Sequence, residues 1–210
     1  MTQEEFVQLA LDKKTSILTG TEIHEAIRSR EIVIDPILDP RSQIDPVSVD
    51  LRLDNYFGRF KTTEEPYIHP TSSKKAYLDF NELEFFRDKF VLQQSDFVLA
   101  QTFEYIARPD HIVGFLEGRS SVGRRGVMVH VTAGVVDPGF SGHLVFELAN
   151  VGKMPTILFP LMRIARMTFF RTNRTQAYSG QYRFQVKIRP PRADSDLVAI
   201  LKKFPKEAVD

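Results

Sequence analysis

The stretch Gly118-Arg119-Ser120-Ser121-Val122-Gly123-Arg124-Arg125-Gly126 places Arg119 and Arg124 beside paired hydroxyls and flanking glycines. Guanidinium forks, short donors and accessible backbone amides in one segment suit a phosphate chain, although on chemistry alone a plain polar turn weighs the same. Further along, His143 to Asn150 alternates. Leu144, Phe146 and Leu148 share one strand face, and Glu147 lies on the other with Val145 and Ala149. A carboxylate among apolar neighbours is costly unless it is used, and burial there raises its pKa toward the working pH, as a proton-shuttling acid/base requires. Taken alone, a strand glutamate paired with a nearby arginine is the weightier alternative. Between these segments Asp137-Pro138-Gly139 predicts a tight turn holding Asp137 at a strand end, and His130 reads as a structural histidine rather than a catalyst.

The elements that must position these groups are mostly strands. Residues 1–13 carry Phe6, Leu9 and Ala10 at helical spacing and suggest a short docking helix or a frayed tail. Thr21 reads as the N-cap of a helix through Ile23, Ala26 and Ile27 that ends near Arg30. From Val47 the texture is β: Val47, Val49, Leu51 and Leu53 alternate with Ser48, Asp50, Arg52 and Asp54, predicting one apolar and one polar face. Residues 62–75 read as a loop. Strand-like runs follow near 88–94, 97–108, 112–116, 127–131, 143–149, 156–160 and 163–170, punctuated by Gly, Pro, Asp and Asn as in a sandwich, jelly roll or barrel. Beyond Arg189 a short surface helix is expected within 194–203. No internal repeat and no Gly-rich nucleotide fingerprint is found.

Composition narrows the function. With 42% apolar and 26% charged residues the chain reads as soluble and globular, and no apolar run approaches the roughly 18–20 residues that span a bilayer. Met1 to Phe6 carries two glutamates in place of a basic-then-apolar leader, which argues for the cytoplasm. A net charge of +1 gives no reason to expect nucleic-acid binding, so phosphate recognition must be local. Cysteine is absent, which excludes thiolate nucleophiles and Cys-containing zinc sites.

Together, Gly118-Arg119-Ser120-Ser121 with Arg124, His130 through Gly142 (HVTAGVVDPGFSG), and Val145-Phe146-Glu147 with Asn150 resemble the dCTP deaminase family of the trimeric dUTPase-like superfamily. Weaker similarity covers Ser48 to Leu53, the Thr21 helix and Tyr178-Ser179-Gly180-Gln181, so it spans roughly 17–182. The resemblance implies a mainly β, distorted jelly roll (a dUTPase-like β-clip) with short N-terminal helices. It divides the chain into an extension over 1–16, a deaminase domain over 17–189 and a tail over 190–210. It also implies a homotrimer with active sites between subunits. Glu147 would be the general acid/base in converting dCTP to dUTP and ammonia, with Ser120 and the backbone near Ala133 holding the water and the amine. Arg119, Ser121, Val122, Gly123 and Arg124 would bind the triphosphate, with Mg²⁺ held through phosphate oxygens and no direct protein ligand. Asp137 would accept from the sugar 3′-hydroxyl, Val145 and Phe146 would read the base through their backbone, and Tyr178 and Gln181 would belong to a segment closing over the nucleotide. dTTP as a feedback inhibitor fits the same resemblance. Zinc-dependent deamination needs a Pro-Cys-x-x-Cys pair that this chain lacks.

Three positions depart from the family pattern. Gly134 and Val135 follow Thr132-Ala133 where members that only deaminate carry His-Arg, so a bifunctional enzyme giving dUMP stays open. Ala177 stands where a lysine is common, leaving Arg171 or Arg174 as alternative phosphate contacts, and Arg166 replaces a small residue or an amide and is a further candidate for phosphate binding. A dUTPase using Asp137 to orient water, and a non-catalytic deoxynucleotide-binding protein, are the competing readings.

Overall fold

The computed structural model describes residues 2, 16–61, 68, 78–85, 87–173, 176–191, 195–201 and 203. The expected helix at 1–13, nearly all of the loop at 62–75, and Arg174 lie outside them.

Helix α1, Gly20–Arg28, begins earlier than Thr21 suggests. Thr19 is the N-cap because Glu22 stands three residues beyond it: Glu22 Oε2 accepts from Thr19 N at 2.8 Å, and Thr19 Oγ1 accepts from Glu22 N. The helix stops at Ser29, where Arg30 takes φ +60. Ile23 and Ala26 bury its apolar stripe.

Twelve strands follow among the described residues: β1 Val33–Asp35, β2 Ile44–Asp45, β3 Ser48–Phe60, β4 Leu78–Glu82, β5 Phe90–Leu92, β6 Phe97–Ala107, β7 Ile112–Gly118, β8 Val127–Met128, β9 Val135–Val136, β10 Ser141–Asn150, β11 Thr156–Leu158 and β12 Arg163–Arg171. Short helices α2 (Pro40–Gln43), α3 (Ser120–Gly123) and α4 (Ser195–Leu201) interrupt or follow them. The fold is mainly β, as the sequence predicts. One antiparallel sheet runs in the order β8-β10-β6-β3-β12-β7-β9, with β1 on β6 and β2 and β4 on β3, and β11 pairs separately with β5.

The sheet curls because β3 changes partner along its length. Val49 to Arg52 pair with β12, whereas Leu53 to Arg59 pair with β6, and a register shift marks the exchange. The core includes Leu51, Leu53, Phe57, Phe146, Leu148, Ile164 and Phe169, all fully or nearly fully buried. Such side chains each contribute roughly 1.5–3 kcal/mol on burial.

Two expectations for β3 change. Val47 lies exposed ahead of the strand, and the polar face is covered at its start, where Ser48 and Asp50 are as buried as the leucines while Arg52 and Asp54 are half-buried. Asp50 tolerates this because three guanidinium groups reach it: Arg119 Nε and Arg163 Nη1 at 3.2 Å from Oδ2, and Arg166 Nη2 at 3.7 Å from Oδ1. No helix among the described residues is long and apolar enough to cross a membrane.

Candidate active site

Glu147 is aimed by the alternation of β10. Leu144, Phe146, Leu148 and Asn150 face the core while Val145, Glu147 and Ala149 are half-buried on the other face. A register shift between His143 and Val145 re-aims the strand just before the glutamate, and Thr102 Oγ1 satisfies it by accepting from Leu144 N at 2.9 Å. On one side Glu147 pairs with Leu99 of β6; on the other its N–H donates to Val129 O at 3.1 Å.

The chain after Val129 then turns back over the carboxylate. Val131 N and Thr132 N donate to Glu147 Oε2 at 3.1 and 3.3 Å. Both donors converge on Oε2, so one oxygen is anchored and Oε1 is left available among the described residues.

Glu147 opens into a cleft of about 370 Å³, large enough for a small-molecule ligand. Ala133, Asp137, Val145 and Tyr178 line it with Glu147, so five of the residues singled out in the sequence meet there. Asp137 heads a turn in which Phe140 N donates to Asp137 O at 3.2 Å and Gly139 takes φ +76, as the Asp-Pro-Gly sequence predicts.

The Arg-Ser-Ser segment is not in this cleft. It forms α3, where Ser120, Ser121, Gly123 and Arg124 are exposed and Val122 is buried in the core. Arg119 turns to Asp50, Arg166 pairs with Asp45 at 2.9 Å, and Arg171 forks onto Glu31. Burial pushes the Asp50 carboxyl up from its ordinary value, against the opposite pull of Arg119. The Phe146 side chain lies wholly in the core, leaving only its backbone for recognition, and His130 stands 3.5 Å from Glu117.

Sequence reasoning missed Tyr182, Gln185 and Arg189, which line the cleft, whereas Gln181 is exposed and absent from the lining. They belong to an irregular strap laid on the start of β10. Phe184 N donates to Ser141 O at 2.6 Å, His143 N to Gln185 O at 3.0 Å, and Gln185 Nε2 to His143 O at 2.8 Å. Such a strap has no period to read; its only signal is the recurrence of Tyr and Gln after Tyr178.

A family profile described as dCTP deaminase-like matches residues 17–172. The chain belongs to that family. This dCTP deaminase-like protein is 42% identical over 156 residues to "dCTP deaminase, dUMP-forming" of Methanothermobacter thermautotrophicus, covering 73% of this chain and 78% of that one. It is 39% identical over 184 residues to the protein of the same name from Acidothermus cellulolyticus, covering 84% and 95%. It is 41% identical over 155 residues to the "dCTP deaminase" of Haloarcula marismortui, covering 73% and 79%. The crystal structure of 2′-deoxycytidine 5′-triphosphate deaminase from Agrobacterium tumefaciens shares the fold, with a TM-score of 0.61 at 20% identity. That match covers 76% of this dCTP deaminase-like chain, which spans about half (49%) of the larger protein.

Proposed function

We propose that this chain deaminates dCTP in the cytoplasm, with Glu147 as general acid/base and no zinc. The observation that carries the reading is the Glu147 carboxylate, anchored by the Val131 and Thr132 amides, in a cleft shared with Ala133, Asp137 and Val145. In the reaction Glu147 takes a proton from water as its oxygen attacks C4 of cytosine. It returns that proton to N3, and a second transfer from the tetrahedral intermediate's hydroxyl lets ammonia leave, so dCTP and water give dUTP and ammonia. Anchoring one carboxylate oxygen keeps the other in place for both transfers. Asp137 accepts from the 3′-hydroxyl, the backbone at Val145 and Phe146 reads the base, and Tyr178 and Gln185 cover the nucleotide and exclude water.

Arg119, Ser120, Ser121, Val122, Gly123 and Arg124 reach this cleft from a second copy of the chain, in a homotrimer with sites between subunits. The exposure of Ser120, Ser121, Gly123 and Arg124, away from their own chain's Glu147, supports that assignment. Mg²⁺ would be held through the substrate's phosphates rather than by side chains, and there it would supply charge neutralisation. Arg166 and Arg119 then face the triphosphate side, and dTTP competes for the same cleft.

A second reading, that the site also cleaves the triphosphate to release dUMP, is favoured by Gly134. A Cβ there would lie 3.1 Å from His130 Cε1 and 3.2 Å from the Leu116 carbonyl oxygen, so the loop is shaped for glycine rather than for the histidine of members that only deaminate. Incubating the protein with dCTP and Mg²⁺ and separating the products tests both. Ammonia with dUTP supports the first reading, ammonia with dUMP the second, and unchanged dCTP overturns both.

A further inference from the structure

Arg108 is a buried cation that the deamination does not use. It follows β6 and is 5% exposed, with its guanidinium folded beneath the Asp137 turn. Nη2 donates to Asp137 O at 2.6 Å, and Cζ stands 5.7 Å from the centre of the Phe140 ring. The backbone repeats the grip: Arg108 N donates to Phe140 O, and Gly139 N to Pro109 O at 3.0 Å. The guanidinium also packs beside Gly114 of β7, where a Cβ would stand in ordinary contact, 3.6 Å from Arg108 Cζ.

This arrangement is poor for stability. Nε and Nη1 are buried without a hydrogen-bond partner among the described residues, and burial pushes the Arg108 pKa down to about 10 against the pull of Asp137. A methionine or leucine in the same space would remove that cost. What the guanidinium does supply is a fixed Asp137: it holds the backbone carbonyl and attracts the carboxylate without forming a direct ion pair with it. The Asp137 backbone is thus held while its exposed carboxylate is left to accept from a ligand.

We infer that Arg108 is a positioning residue that acts through Asp137 to set selectivity for a nucleotide bearing a 3′-hydroxyl. The inference rests on the proposed dCTP site and adds to it the residue that tunes sugar recognition. A group acting through substrate positioning shows itself in KM and in analogue discrimination rather than in kcat.

The test compares the full-length parent with R108M, R108K and D137N, measuring kcat and KM for dCTP and for its 2′,3′-dideoxy analogue, with Tm for each protein. R108M is expected to raise KM for dCTP about fivefold or more with kcat within about twofold, and to lose most of the parent's preference for dCTP, approaching D137N. Its Tm should equal or exceed the parent's, whereas R108K, which keeps a charge and a donor, should recover part of the preference. If R108M keeps the parent's dCTP preference, or if R108M and R108K lose stability and kcat together with the preference intact, Arg108 is structural and the inference fails. Should R108M not fold, R108K alone decides: a preference reduced from the parent's supports the inference, and one equal to the parent's overturns it. If the parent itself neither binds nor deaminates dCTP, the site assignment fails, and the inference with it.

Discussion

Glu104 Oε1 accepts a hydrogen bond of 2.8 Å from Gln43 Nε2, joining β6 to α2 in the fully buried interior. The second oxygen accepts from Arg52 N at 2.9 Å. Burial pushes this carboxyl up to about 7 despite those donors. Between the ordinary carboxylate range and about 7, the folded protein keeps a proton that the unfolded chain releases, so Glu104 lowers stability as pH rises through that window. Its contribution is flat above about 7. The span corresponds to an upper bound on the order of 3 kcal/mol. Glu104→Gln should therefore gain in urea midpoint relative to the parent at pH 8, and the gain should shrink or reverse at pH 5. A difference that is the same at both values would remove Glu104 as the source.

Shortening the carboxylate at 147 tests whether its anchoring matters separately from its chemistry. Glu147→Asp withdraws the group by one methylene from the Val131 and Thr132 amides, which now stand at 3.1 and 3.3 Å. A misplacement on the order of 1 Å costs about 10²-fold in rate. Glu147→Asp is expected to lose about that factor in kcat with dCTP affinity little changed, and Glu147→Gln to lose more, because it cannot accept a proton. Single-turnover rates and calorimetric Kd values separate the two effects. An aspartate variant as fast as the parent would show that the two amides do not set the geometry.

Gly139 joins the Asp137 turn to the covering strap. Its φ is +76, and a Cβ would meet Ala177 Cβ at 2.7 Å and Tyr178 N at 3.2 Å. Gly139→Ala therefore adds backbone strain and a steric clash, a cost of roughly 1–3 kcal/mol. In a chain of this size that lowers Tm by about 2–4 °C per kcal/mol. It should also weaken dCTP binding, since the strap carries Tyr178, Tyr182 and Gln185 into the cleft. A thermal melt and a KM measurement check the two parts, and unchanged values of both would show that the strap does not depend on this contact.

What the sequence reveals of this site follows from which interactions are periodic. The side of β10 on which Glu147 stands is legible because alternation has period two, and the Asp137 turn because proline presets φ and glycine admits a positive one. The helix start is displaced from Thr21 to Thr19 because a reciprocal Thr19–Glu22 cap outweighs position alone. Burial of Asp50 and the place of Arg108 are not legible. Each depends on partners far along the chain, Arg163 for one and the Asp137 carbonyl for the other. Gln185 escapes notice for the same reason, since its bonds run to His143 across an irregular segment.

Glu147 and Arg124 give a direct test of whether one site draws on two chains. Glu147 opens into the cleft, while Arg124 is exposed on α3 outside its lining. In a homotrimer with sites between subunits, Glu147→Gln removes the acid/base from one side of each site and Arg124→Ala removes a phosphate contact from the other. Each homotrimer should be inactive or nearly so. When the two variants are co-expressed and mix at random, a site is intact only if an Arg124→Ala chain contributes Glu147 and a Glu147→Gln chain contributes Arg124. That occurs in about a quarter of sites. A trimer purified on two different affinity tags, one on each variant, holds both kinds of chain and one intact site of its three, so recovery of about a third of the parent's dCTP turnover is expected in that fraction. No recovery in doubly tagged trimers would mean that both residues act within one chain, and the α3 segment would then have to move to reach Glu147.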